Sequence, residues 1–463
     1  MLFGTSGIRG IVGEEVTQDL CESTGRALGT MLGPGTRVCI GRDSRNSGPR
    51  LLHWVGDGLS TSGCTAVDAG VLPTPALAAV TRKGSYDAGV MLTASHNPYP
   101  PEYNGIKLFG PDGLGFNRRQ EHFIESLCAS RDFASGQGSL ERITDAFDIY
   151  MRTIPADLAA AAASSPLKLM LDPGNGAAAG FATNLFRALD IPVVSVNDTP
   201  DGTFPGRGPE PAEHTLESTH RALLASDADL AACFDGDADR VVFIDREGFI
   251  GLDAMAAFVS HLRVSRTGRR IVCTTVETGR LIDLAIRPLD GVVVRGEVGD
   301  VPVAHSVLVR SGALGVETVG VYIFPEHGLY PESMLATLHV LASGATTGDI
   351  RSFINALPAL HLHKVKVPCP NAIKQRVMDS LDVCRLVPFD EVVCSMNMTD
   401  GVRLELHDCW MLVRPSGTEP VVRVSVECAE RCRACNLADH AADVVRKLVT
   451  GLADETTAHG EAR

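Results

Sequence analysis

Asp235, Asp237 and Asp239 alternate with small residues in the segment DGDADR, and this spacing is typical of a cation site. Three carboxylates on one tight turn repel one another unless a cation offsets their charge, and hard oxygen ligands of this kind suit Mg²⁺. An EF-hand calcium loop is excluded, because Arg240 stands at its sixth position, where Gly is needed, and Arg246 at its twelfth, where Glu is needed. A solvated acidic turn is the structural alternative. The pattern favours a magnesium site.

A candidate nucleophile lies in the segment TASHNP, where Ser95 and His96 directly follow an apolar run that predicts a strand. Lys107 comes later, in the segment NGIK. A serine hydroxyl at the end of a strand, beside a histidine and within folding distance of a lysine, has the parts of a nucleophile or a phosphate carrier. The segment is not the G-x-S-x-G elbow of hydrolases. A polar turn that begins at Ser95 and ends at Pro98 is the structural alternative.

A third segment, RPSGTEP, combines hydroxyl groups, a glycine and an arginine. Such a set can hold a phosphate monoester, because guanidinium groups and freed backbone N–H groups bind phosphate oxygens. The candidate phosphate ligands are Arg414, Ser416, Gly417, Thr418 and Arg423. The segment GTSGIRG at residues 4–10, which contains Arg9, is a similar loop. An ordinary β-turn is the alternative, and nucleotide binding of the Walker type has no support because its G-x-x-x-x-G-K-[ST] motif is missing.

These segments together indicate one reaction class. A serine that can carry phosphate, three carboxylates for magnesium, a lysine or histidine for proton transfer and a separate phosphate-binding loop are the components of phosphoryl transfer to a phosphosugar. A general magnesium phosphatase would share the carboxylates but would not need the second phosphate-binding loop.

Apolar runs rich in β-branched residues alternate with helix-patterned segments, which predicts α/β units around largely parallel sheets. The predicted strands are Thr36–Ile40, Thr65–Ala69, Asp87–Leu92, Leu167–Leu171, Val193–Val196, Leu230–Phe234, Val241–Ile244, Ile271–Thr275 and Val292–Val294. Helices are predicted at Asp19–Leu32, Pro49–Thr61 and Gly180–Leu189. Since ligands bind beyond the carboxyl ends of parallel strands, the residues after these strands are the candidates for the site.

The pattern predicts three similar α/β units followed by a smaller α+β unit. Beyond about residue 367 it becomes β-rich, with predicted strands at Gly401–Leu406, Trp410–Val413 and Val421–Val426 before a closing helix. The weak points between units are the segments 131–139 and 154–165, then 251–253, then 357–367.

The composition excludes several other classes of protein. Lys and Arg number 42 against 56 Asp and Glu, and the net charge of −14 argues against a nucleic-acid binder that works by bulk charge. With 44% hydrophobic and 21% charged residues the chain is expected to fold. We find neither an apolar run long enough to span a membrane nor an apolar N-terminal stretch typical of a signal peptide. A cytoplasmic protein without nucleic-acid or membrane partners is expected.

The 13 cysteines are an odd number scattered along a long chain, which is typical of reduced and mostly buried thiols. Cys428, Cys432 and Cys435 form a C-x3-C-x2-C pattern, which could hold three corners of an iron–sulfur cluster. The predicted strand before them, the helix after them and the lack of a nearby fourth ligand favour ordinary thiols.

The chain resembles the α-D-phosphohexomutase family, which comprises phosphoglucosamine mutases, phosphomannomutases and phosphoglucomutases, in its archaeal type. The motifs GTSGIRG, TASHNP, DGDADR and RPSGTEP occur in this order and span nearly the whole length. The secondary matches are GRDSR from residue 41, LPTP from residue 72, DPGNG from residue 172 and VGD from residue 298.

The resemblance implies three similar α/β domains with mixed sheets and a smaller C-terminal α+β domain around a central cleft. We place the domains at 1–153 with the phosphoserine loop, 154–252 with the metal loop, 253–362 with the sugar-binding loop and 363–463 with the phosphate-binding loop. It also implies a small-molecule phosphosugar substrate, a hexose 1,6-bisphosphate activator and a monomer or homodimer.

The family's site residues are expected at the matching positions of this sequence. By the resemblance, Ser95 carries the phosphoryl group, and one of its phosphate oxygens joins Asp235, Asp237 and Asp239 around a single Mg²⁺. Lys107 is expected to transfer protons with His96 as its neighbour. Arg9 and Arg240 are expected near the transferred group, and the phosphate that is not transferred should bind to the loop of Arg414, Ser416, Gly417, Thr418 and Arg423.

The sugar-binding loop departs from the family pattern. Where the family has GGExSGH, residues 315–321 read GVETVGV, so Val319 and Val321 replace a serine and a histidine that would face sugar hydroxyls. Glu317, Thr318 and Val319 are the candidate sugar contacts, and Thr318 or His327 is a candidate substitute for the lost groups. Phosphoglucosamine mutase is the first functional hypothesis. The alternatives are a phosphomannomutase or phosphoglucomutase, and a weakly active or non-catalytic phosphosugar-binding paralogue.

Overall fold

The first sheet contains six strands in the order β1-β5-β4-β2-β3-β6. The computed structural model describes residues 2–4, 7–389, 391–417 and 419–460, with side chains to residue 453. The first elements are β1 (Ile8–Ile11), α1 (Gln18–Leu32), β2 (Arg37–Arg42), α2 (Gly48–Thr61), β3 (Thr65–Val71), α3 (Thr74–Lys83), β4 (Ala88–Leu92), β5 (Tyr103–Phe109), α4 (Arg118–Ser130) and β6 (Ser139–Arg142). β4 is parallel to β2 and antiparallel to β5. All of β4 is buried, so the loop after it starts from a fixed support.

The second sheet contains five strands in the order β11-β10-β9-β7-β8. Its region includes α5 (Ala146–Met151), α6 (Ala156–Ala163), β7 (Leu169–Asp172), α7 (Phe181–Ala188), β8 (Val193–Ser195), α8 (Glu217–Ala225), β9 (Leu230–Phe234), β10 (Val241–Asp245) and β11 (Gly248–Phe249). β9 is parallel to β7 but antiparallel to β10, with Phe234 opposite Val241. The segment DGDADR is therefore the loop of a hairpin, and the buried, largely apolar strands on both sides hold its ends together.

The third sheet contains four strands in the order β13-β12-β14-β15. The elements are α9 (Leu252–Thr267), β12 (Ile271–Thr275), α10 (Leu281–Ile286), β13 (Val292–Gly296), α11 (Asp300–Arg310), β14 (Leu314–Glu317), β15 (Val321–Ile323), α12 (Ser333–Leu341) and α13 (Thr347–Asn355). β12 is parallel to β13 and β14, whereas β14 and β15 are antiparallel. The sugar-loop segment GVETVGV is thus the turn of another hairpin.

The fourth sheet is antiparallel throughout, in the order β16-β20-β19-β18-β17. Its region contains β16 (His361–Pro368), α14 (Lys374–Asp379), α15 (Val383–Leu386), β17 (Ser395–Asn397), β18 (Val402–Glu405), β19 (Trp410–Pro415), β20 (Val421–Cys428) and α16 (Arg431–Gly460), and it has its own apolar core. The predicted fold class, with mixed sheets in three α/β domains and a smaller α+β domain, is confirmed. Every described helix is too short or too polar to cross a bilayer.

Two of the weak points in the sequence do not lie between sheets. β6 follows the polar segment 131–139 and pairs with β3, so the first sheet continues beyond that segment. β16 lies largely inside the segment 357–367 and pairs with β20, so the fourth sheet begins there. The exact boundaries at 153, 252 and 362 stay a prediction.

The expectation of reduced thiols is wrong for one pair of cysteines. Cys409 and Cys428 form a disulfide between neighbouring antiparallel strands, with their Cα atoms 4.4 Å apart. The sequence could not indicate this pair, because the register of β19 and β20 brings the two residues together. Because Cys428 is in a disulfide, its sulfur cannot serve as a cluster ligand in the C-x3-C-x2-C pattern. Cys432 of this pattern is exposed on α16.

The fourth domain is attached to the third through a buried arginine. Arg403 on β18 donates to the carbonyl oxygens of Val276 (2.6 Å) and Thr278 (2.9 Å), and its guanidinium lies 4.0 Å from the centroid of the Trp410 ring. Trp410 is 1% exposed, and its indole donates to Glu427 Oε1 at 2.8 Å. This contact fixes where the fourth domain meets the rest of the molecule.

A buried carboxyl group at the start of α12 predicts how stability depends on pH. Glu332 Oε2 accepts a hydrogen bond from the Tyr150 hydroxyl at 2.9 Å, and burial raises the pKa of Glu332 from 4.5 to about 8. The folded protein therefore holds a proton that the unfolded chain releases, so this contribution to stability is present at low pH and is lost as pH rises. Between about pH 5 and about pH 8 we expect it to lower the free energy of unfolding by about 1.4 kcal/mol per pH unit.

Thermal melts over this pH range would test that expectation. In Glu332→Gln the neutral amide still accepts from Tyr150, so the melting temperature should depend less on pH than in the wild type. Glu14→Gln, at an exposed carboxylate, is the control and should follow the wild type. Equal pH dependence in Glu332→Gln and the wild type would contradict the expectation.

Candidate active site

Ser95 lies in the loop after β4, fully buried and with φ of 50°, in the left-handed region. Its Oγ donates to Asp235 Oδ2 at 2.6 Å and lies 3.5 Å from His96 Nδ1. Its backbone N–H donates to Thr93 Oγ1 at 2.8 Å. The predicted nucleophile and the first predicted metal ligand are therefore in direct contact, although they belong to different domains.

The three carboxylates of Asp235, Asp237 and Asp239, called the carboxylate triad from here on, are buried and have ligand atoms within 4.8 Å of one another. The loop can approach Ser95 closely because residue 236 is glycine. A Cβ atom there would lie 2.4 Å from the Ser95 carbonyl oxygen. The alternative of a solvated acidic turn is wrong, because these carboxylates point into the protein.

Lys107 provides the positive charge nearest to the carboxylate triad. It lies on β5, and its Nζ donates to Asp237 Oδ2 and Asp239 Oδ2, both at 2.7 Å. Thr74 Oγ1 also donates to Asp237 Oδ2, at 2.6 Å. Burial alone would lower the pKa of Lys107, but the two carboxylates raise it above its ordinary value. Burial likewise acts to raise the pKa of Asp237, and Lys107 and Thr74 outweigh it and lower that pKa.

The remaining lone pairs of the carboxylate triad fit a hard divalent cation. Asp237 Oδ1 and Asp239 Oδ1 are buried and accept no hydrogen bond from any described residue. Burial, followed by the charges of Asp239 and Asp237, raises the pKa of Asp235 well above its usual range. Buried oxygens without donors and a carboxyl group disfavoured as an anion both indicate that one more positive charge belongs here. Mg²⁺ prefers carboxylate oxygens of this kind.

Arg9 on β1 and Arg240 after the triad add two guanidinium groups. Each has a buried Nε without a hydrogen-bond partner among the described residues, and Arg240 Nε lies 3.7 Å from Asp239 Oδ1. Burial lowers the pKa of His96 to about 4, and the charges of Arg240 and Arg9 act in the same direction. His96 is therefore neutral at neutral pH, and the cations of the site are the two arginines and Lys107.

A cleft of about 730 Å³ lies between Lys107 and residues of the third and fourth domains. Lys107 from the first domain, Asp300 from the third, and Arg414 and Gly417 from the fourth all line it. The predicted phosphate-binding loop thus faces the same space as the predicted proton-transfer residue.

The loop between β19 and β20, called the phosphate loop from here on, is held by its own backbone and by carboxylates. Ser416 N–H donates to the Val421 carbonyl, and Ser416 Oγ accepts from the Glu419 N–H at 3.1 Å. Arg414 donates to Asp400 (2.8 Å) and Glu277 (3.0 Å). Arg423 donates to Glu419 at 2.8 Å. Thr418 lies outside the described residues, as do Thr5 and Ser6 of the N-terminal motif.

The predicted sugar contacts differ from one another in how far their side chains are buried. Glu317 Oε2 accepts from the Gly299 N–H at 3.2 Å, and burial, followed by the neighbouring charge of Asp300, raises the pKa of Glu317 to about 8. Thr318 is partly buried and Val319 is 45% exposed. Val321 is 3% exposed in an apolar cluster of the third domain.

His327 lies in a different environment from the one expected of a sugar contact. Its ring centroid is 6.4 Å from that of Phe324 and 6.1 Å from that of His339. Glu326, His327 and His339 have ligand atoms close together, but the guanidinium of Arg263 already contacts Glu326 and lies 3.4 Å from His339 Nε2. Arg263 therefore already provides a positive charge to this group, whereas Asp237 Oδ1 and Asp239 Oδ1 of the carboxylate triad accept no hydrogen bond from any described residue.

Comparison with known proteins identifies the family of this site. Models described as phosphoglucomutase/phosphomannomutase, alpha/beta/alpha domains I, II and III match residues 1–135, 148–248 and 252–360, and the model of the C-terminal domain matches residues 365–444. The chain belongs to this family. The resemblance found in the sequence motifs is confirmed, and this phosphohexomutase is an isomerase, an intramolecular phosphotransferase.

Individual relatives agree over almost the full length. A probable phosphoglucosamine mutase of Methanopyrus kandleri is 38% identical, with 96% of this chain and 98% of the relative covered. A phosphoglucomutase/phosphomannomutase family protein of Burkholderia thailandensis superposes with a TM-score of 0.83 at 27% identity, over 96% of this chain and 97% of that one. The fold is also shared, at 17% identity and a TM-score of 0.56, with an Aspergillus fumigatus N-acetylphosphoglucosamine mutase solved with GlcNAc-6P and magnesium; 97% of this chain and 96% of that one are covered.

Two residues that hold the site together, Thr74 and Lys374, were not among the predicted site residues. Thr74 was only part of a secondary motif, and its contact with Asp237 crosses from the first domain to the second. Lys374 on α14 was not considered, yet its Nζ donates to the Ser416 carbonyl at 2.6 Å and to the Glu419 carbonyl. An isolated lysine has no local pattern, so only the packing of α14 on the phosphate loop reveals it.

Proposed function

We propose that this phosphohexomutase interconverts glucosamine 1-phosphate and glucosamine 6-phosphate through a phosphorylated Ser95 and a bound 1,6-bisphosphate. The contact between Ser95 Oγ and Asp235 Oδ2, 2.6 Å long and beside Lys107, carries this proposal. It joins a nucleophile, a metal ligand and a cation in one buried place. The hexose 1,6-bisphosphate is also the proposed activator, since it can phosphorylate Ser95.

The metal of the proposed reaction is one Mg²⁺ per chain. Asp235, Asp237 and Asp239 would hold it together with a phosphate oxygen on Ser95, and their open oxygens support this assignment. When bound, Mg²⁺ supplies positive charge for the oxygens of the transferring phosphoryl group.

The chain's own residues perform the transfer. The bond between phosphorus and Ser95 Oγ breaks as the free hydroxyl of the sugar monophosphate forms its own bond to phosphorus. Arg9 and Arg240 neutralise the oxygens of the group in transit. Lys107, which is protonated at the start, would give a proton to Ser95 Oγ as the bond to phosphorus breaks and take back the proton of the sugar hydroxyl, and neutral His96 borders Ser95.

The second phosphate is assigned to the phosphate loop. Arg414, Ser416, Gly417, Thr418 and Arg423 would hold whichever phosphate is not being transferred. After the bisphosphate turns round, the other phosphate returns to Ser95. A loop built from guanidinium, hydroxyl and N–H groups suits both half-reactions, because it recognises phosphate without reading the sugar carbon that bears it.

Charge in the sugar loop favours an amino sugar. Burial, followed by the charge of Asp300, raises the pKa of Glu317 to about 8, and burial also raises the pKa of Asp300, which lines the cleft. The ammonium of glucosamine would favour the ionised form of these carboxyl groups, whereas glucose, mannose and N-acetylglucosamine carry no such charge. Glu317, Thr318 and Val319 are accordingly the proposed sugar contacts.

A coupled assay would test the substrate. We expect kcat/KM to be highest for glucosamine 1-phosphate among the 1-phosphates of glucosamine, glucose, mannose and N-acetylglucosamine, each with its 1,6-bisphosphate present. Glu317→Gln should reduce the preference for glucosamine over glucose by about tenfold, as one charge-assisted contact is lost. A preference for mannose or glucose would favour the phosphomannomutase or phosphoglucomutase alternative.

Absence of turnover with all four sugars would have a different meaning. Together with no phosphate on Ser95 by intact mass, it would indicate a phosphosugar-binding paralogue and contradict the proposal. We further propose that the protein acts in the cytoplasm as a monomer or homodimer on this small molecule, without nucleic-acid or membrane partners.

A further inference from the structure

Two buried aspartate–arginine pairs lie on either side of the contact between Ser95 and Asp235. The first is Asp43–Arg45 in the loop after β2, where Arg45 is 3% and Asp43 1% exposed. Arg45 Nε donates to Asp43 Oδ2 at 3.1 Å. Its Nη2 donates to the carbonyl oxygens of Ser95 (2.8 Å) and Asn97 (2.7 Å), so one guanidinium holds the backbone of the nucleophile loop at two points.

The second pair has the same arrangement at the metal loop. Arg207 Nε donates to Asp172 Oδ2 at 2.7 Å, and both side chains are fully buried. Arg207 Nη2 donates to the carbonyl oxygens of Phe234 (2.6 Å) and Asp172 (3.0 Å). Phe234 directly precedes Asp235, so this guanidinium holds the backbone that leads into the carboxylate triad.

One segment, residues 199–208, connects the two pairs. The ring of Phe204 lies 5.0 Å from the guanidinium carbon of Arg45, and Arg207 follows in the same segment. Gly202 packs against the backbone of the Arg45 loop so closely that a Cβ atom there would lie 2.5 Å from the Asn46 nitrogen. The segment belongs to the second domain but covers an ion pair of the first, so the two pairs form one continuous structure.

These contacts restrict the backbone of the loop that carries Ser95 and of the strand end that leads into Asp235. Ser95 has a positive φ, which is costly for a residue other than glycine and persists only when its surroundings support it. A planar guanidinium can bond an aspartate and two carbonyl oxygens at once, whereas a lysine ammonium is a point charge without this fixed fork. Neither arginine contacts the reacting atoms.

We propose that Arg45 and Arg207 are positioning residues that, through Asp43, Asp172 and the segment 199–208, set the distance between the Ser95 oxygen and the carboxylate triad. This inference rests on the proposed function, because it concerns the geometry of that same transfer. The sugar loop and the phosphate loop lie on the third and fourth domains and are not held by either pair.

Lysine substitutions would test the proposal. In Arg45→Lys and in Arg207→Lys we expect kcat to fall about 10- to 100-fold, as for other residues that orient a reacting group, with KM for the sugar phosphate within about twofold. Single-turnover phosphorylation of Ser95 by the 1,6-bisphosphate should slow by the same factor. The double variant should lose less than the product of the single losses, because both arginines hold one distance.

Arg351→Lys is the matched control. Arg351 bonds Asp245 at 2.7 Å and the Gly248 carbonyl at 3.0 Å, but lies outside the site. The proposal is overturned if Arg45→Lys and Arg207→Lys, corrected for the folded fraction, have the kcat of Arg351→Lys, or if KM rises while kcat stays. Where a lysine variant does not fold, Gly202→Ala serves, since it moves the segment 199–208 without removing an ion pair; unchanged kcat there also overturns the proposal. Activity remaining in Ser95→Ala would instead overturn the proposed function.

Discussion

Ser95→Ala is expected to lose mutase activity by at least about 10⁴-fold, because it removes the atom that carries the phosphoryl group. In the structure Ser95 Oγ donates to Asp235 Oδ2 at 2.6 Å, beside the Lys107 ammonium that bonds the next aspartate of the triad. The variant should also take up no phosphate from the 1,6-bisphosphate, as measured by intact mass. The methyl group of alanine fits the same buried place, so the fold should remain.

A second buried serine provides the control for this result. Ser260 Oγ, on α9 in the third domain, is buried without a hydrogen-bond partner among the described residues. Ser260→Ala should therefore keep both the activity and the phosphorylation of the wild type. Ser95→Ala that retained most of the activity, or that still gained one phosphate, would show that another residue is the carrier.

Part of the order of elements around the site could be predicted from the sequence. β9 (Leu230–Phe234) and β12 (Ile271–Thr275) have the predicted bounds, and the other strands predicted before residue 367 overlap those of the structure. β4, β7, β9 and β10 are buried along their whole length, and their almost continuous apolar residues give the strongest local pattern. The strands that were not predicted in this part of the chain are β1, β5, β6, β11, β14, β15 and β16. All of them except β5 and β14 lie at the edge of a sheet, and β6 is exposed along its whole length.

The residues of the site also differ in whether the sequence alone could identify them. Asp235 and Ser95 could be named because several reactive groups stand close together in the chain. Arg45 and Arg207 donate to backbone carbonyl oxygens of residues far away in sequence. Because every residue has a backbone carbonyl, no sequence motif marks the one that is contacted. The disulfide of Cys409 and the buried position of Val321 depend on strand register, which no local pattern fixes.

The net charge of −14 is compatible with binding a doubly phosphorylated sugar because the cations are concentrated. Arg9, Lys107 and Arg240 interact with the charges of the carboxylate triad, and Arg414 lines a cleft together with Lys107. Most of these cations are partly neutralised by carboxylates, as Arg414 is by Asp400 and Glu277. The site therefore holds balanced charge before substrate binds, and a change of one charge should alter both affinity and rate.

Lys107→Met is expected to show this balance most directly. The variant removes the ammonium between Asp237 and Asp239, so proton transfer is lost and kcat should fall about 10²- to 10⁴-fold. The same change frees two carboxylate oxygens that Lys107 now occupies at 2.7 Å. Since a hydrogen bond to a charged group contributes about 1.5 to 3 kcal/mol, the affinity for Mg²⁺ should rise by about tenfold or more. Calorimetric titration with Mg²⁺ measures this affinity without relying on turnover.

Thermal melts separate this effect from a general loss of structure. Without Mg²⁺ the variant keeps three buried carboxylates and one cation fewer, so its melting temperature should be below that of the wild type. Added Mg²⁺ should raise the melting temperature more in the variant, because tighter binding to the folded state stabilises it more. Lys168→Met, which removes a surface ion pair with Asp227, should change neither Mg²⁺ affinity nor kcat. Weaker Mg²⁺ binding in Lys107→Met than in the wild type would contradict the assignment of the triad and Lys107 as competing charges.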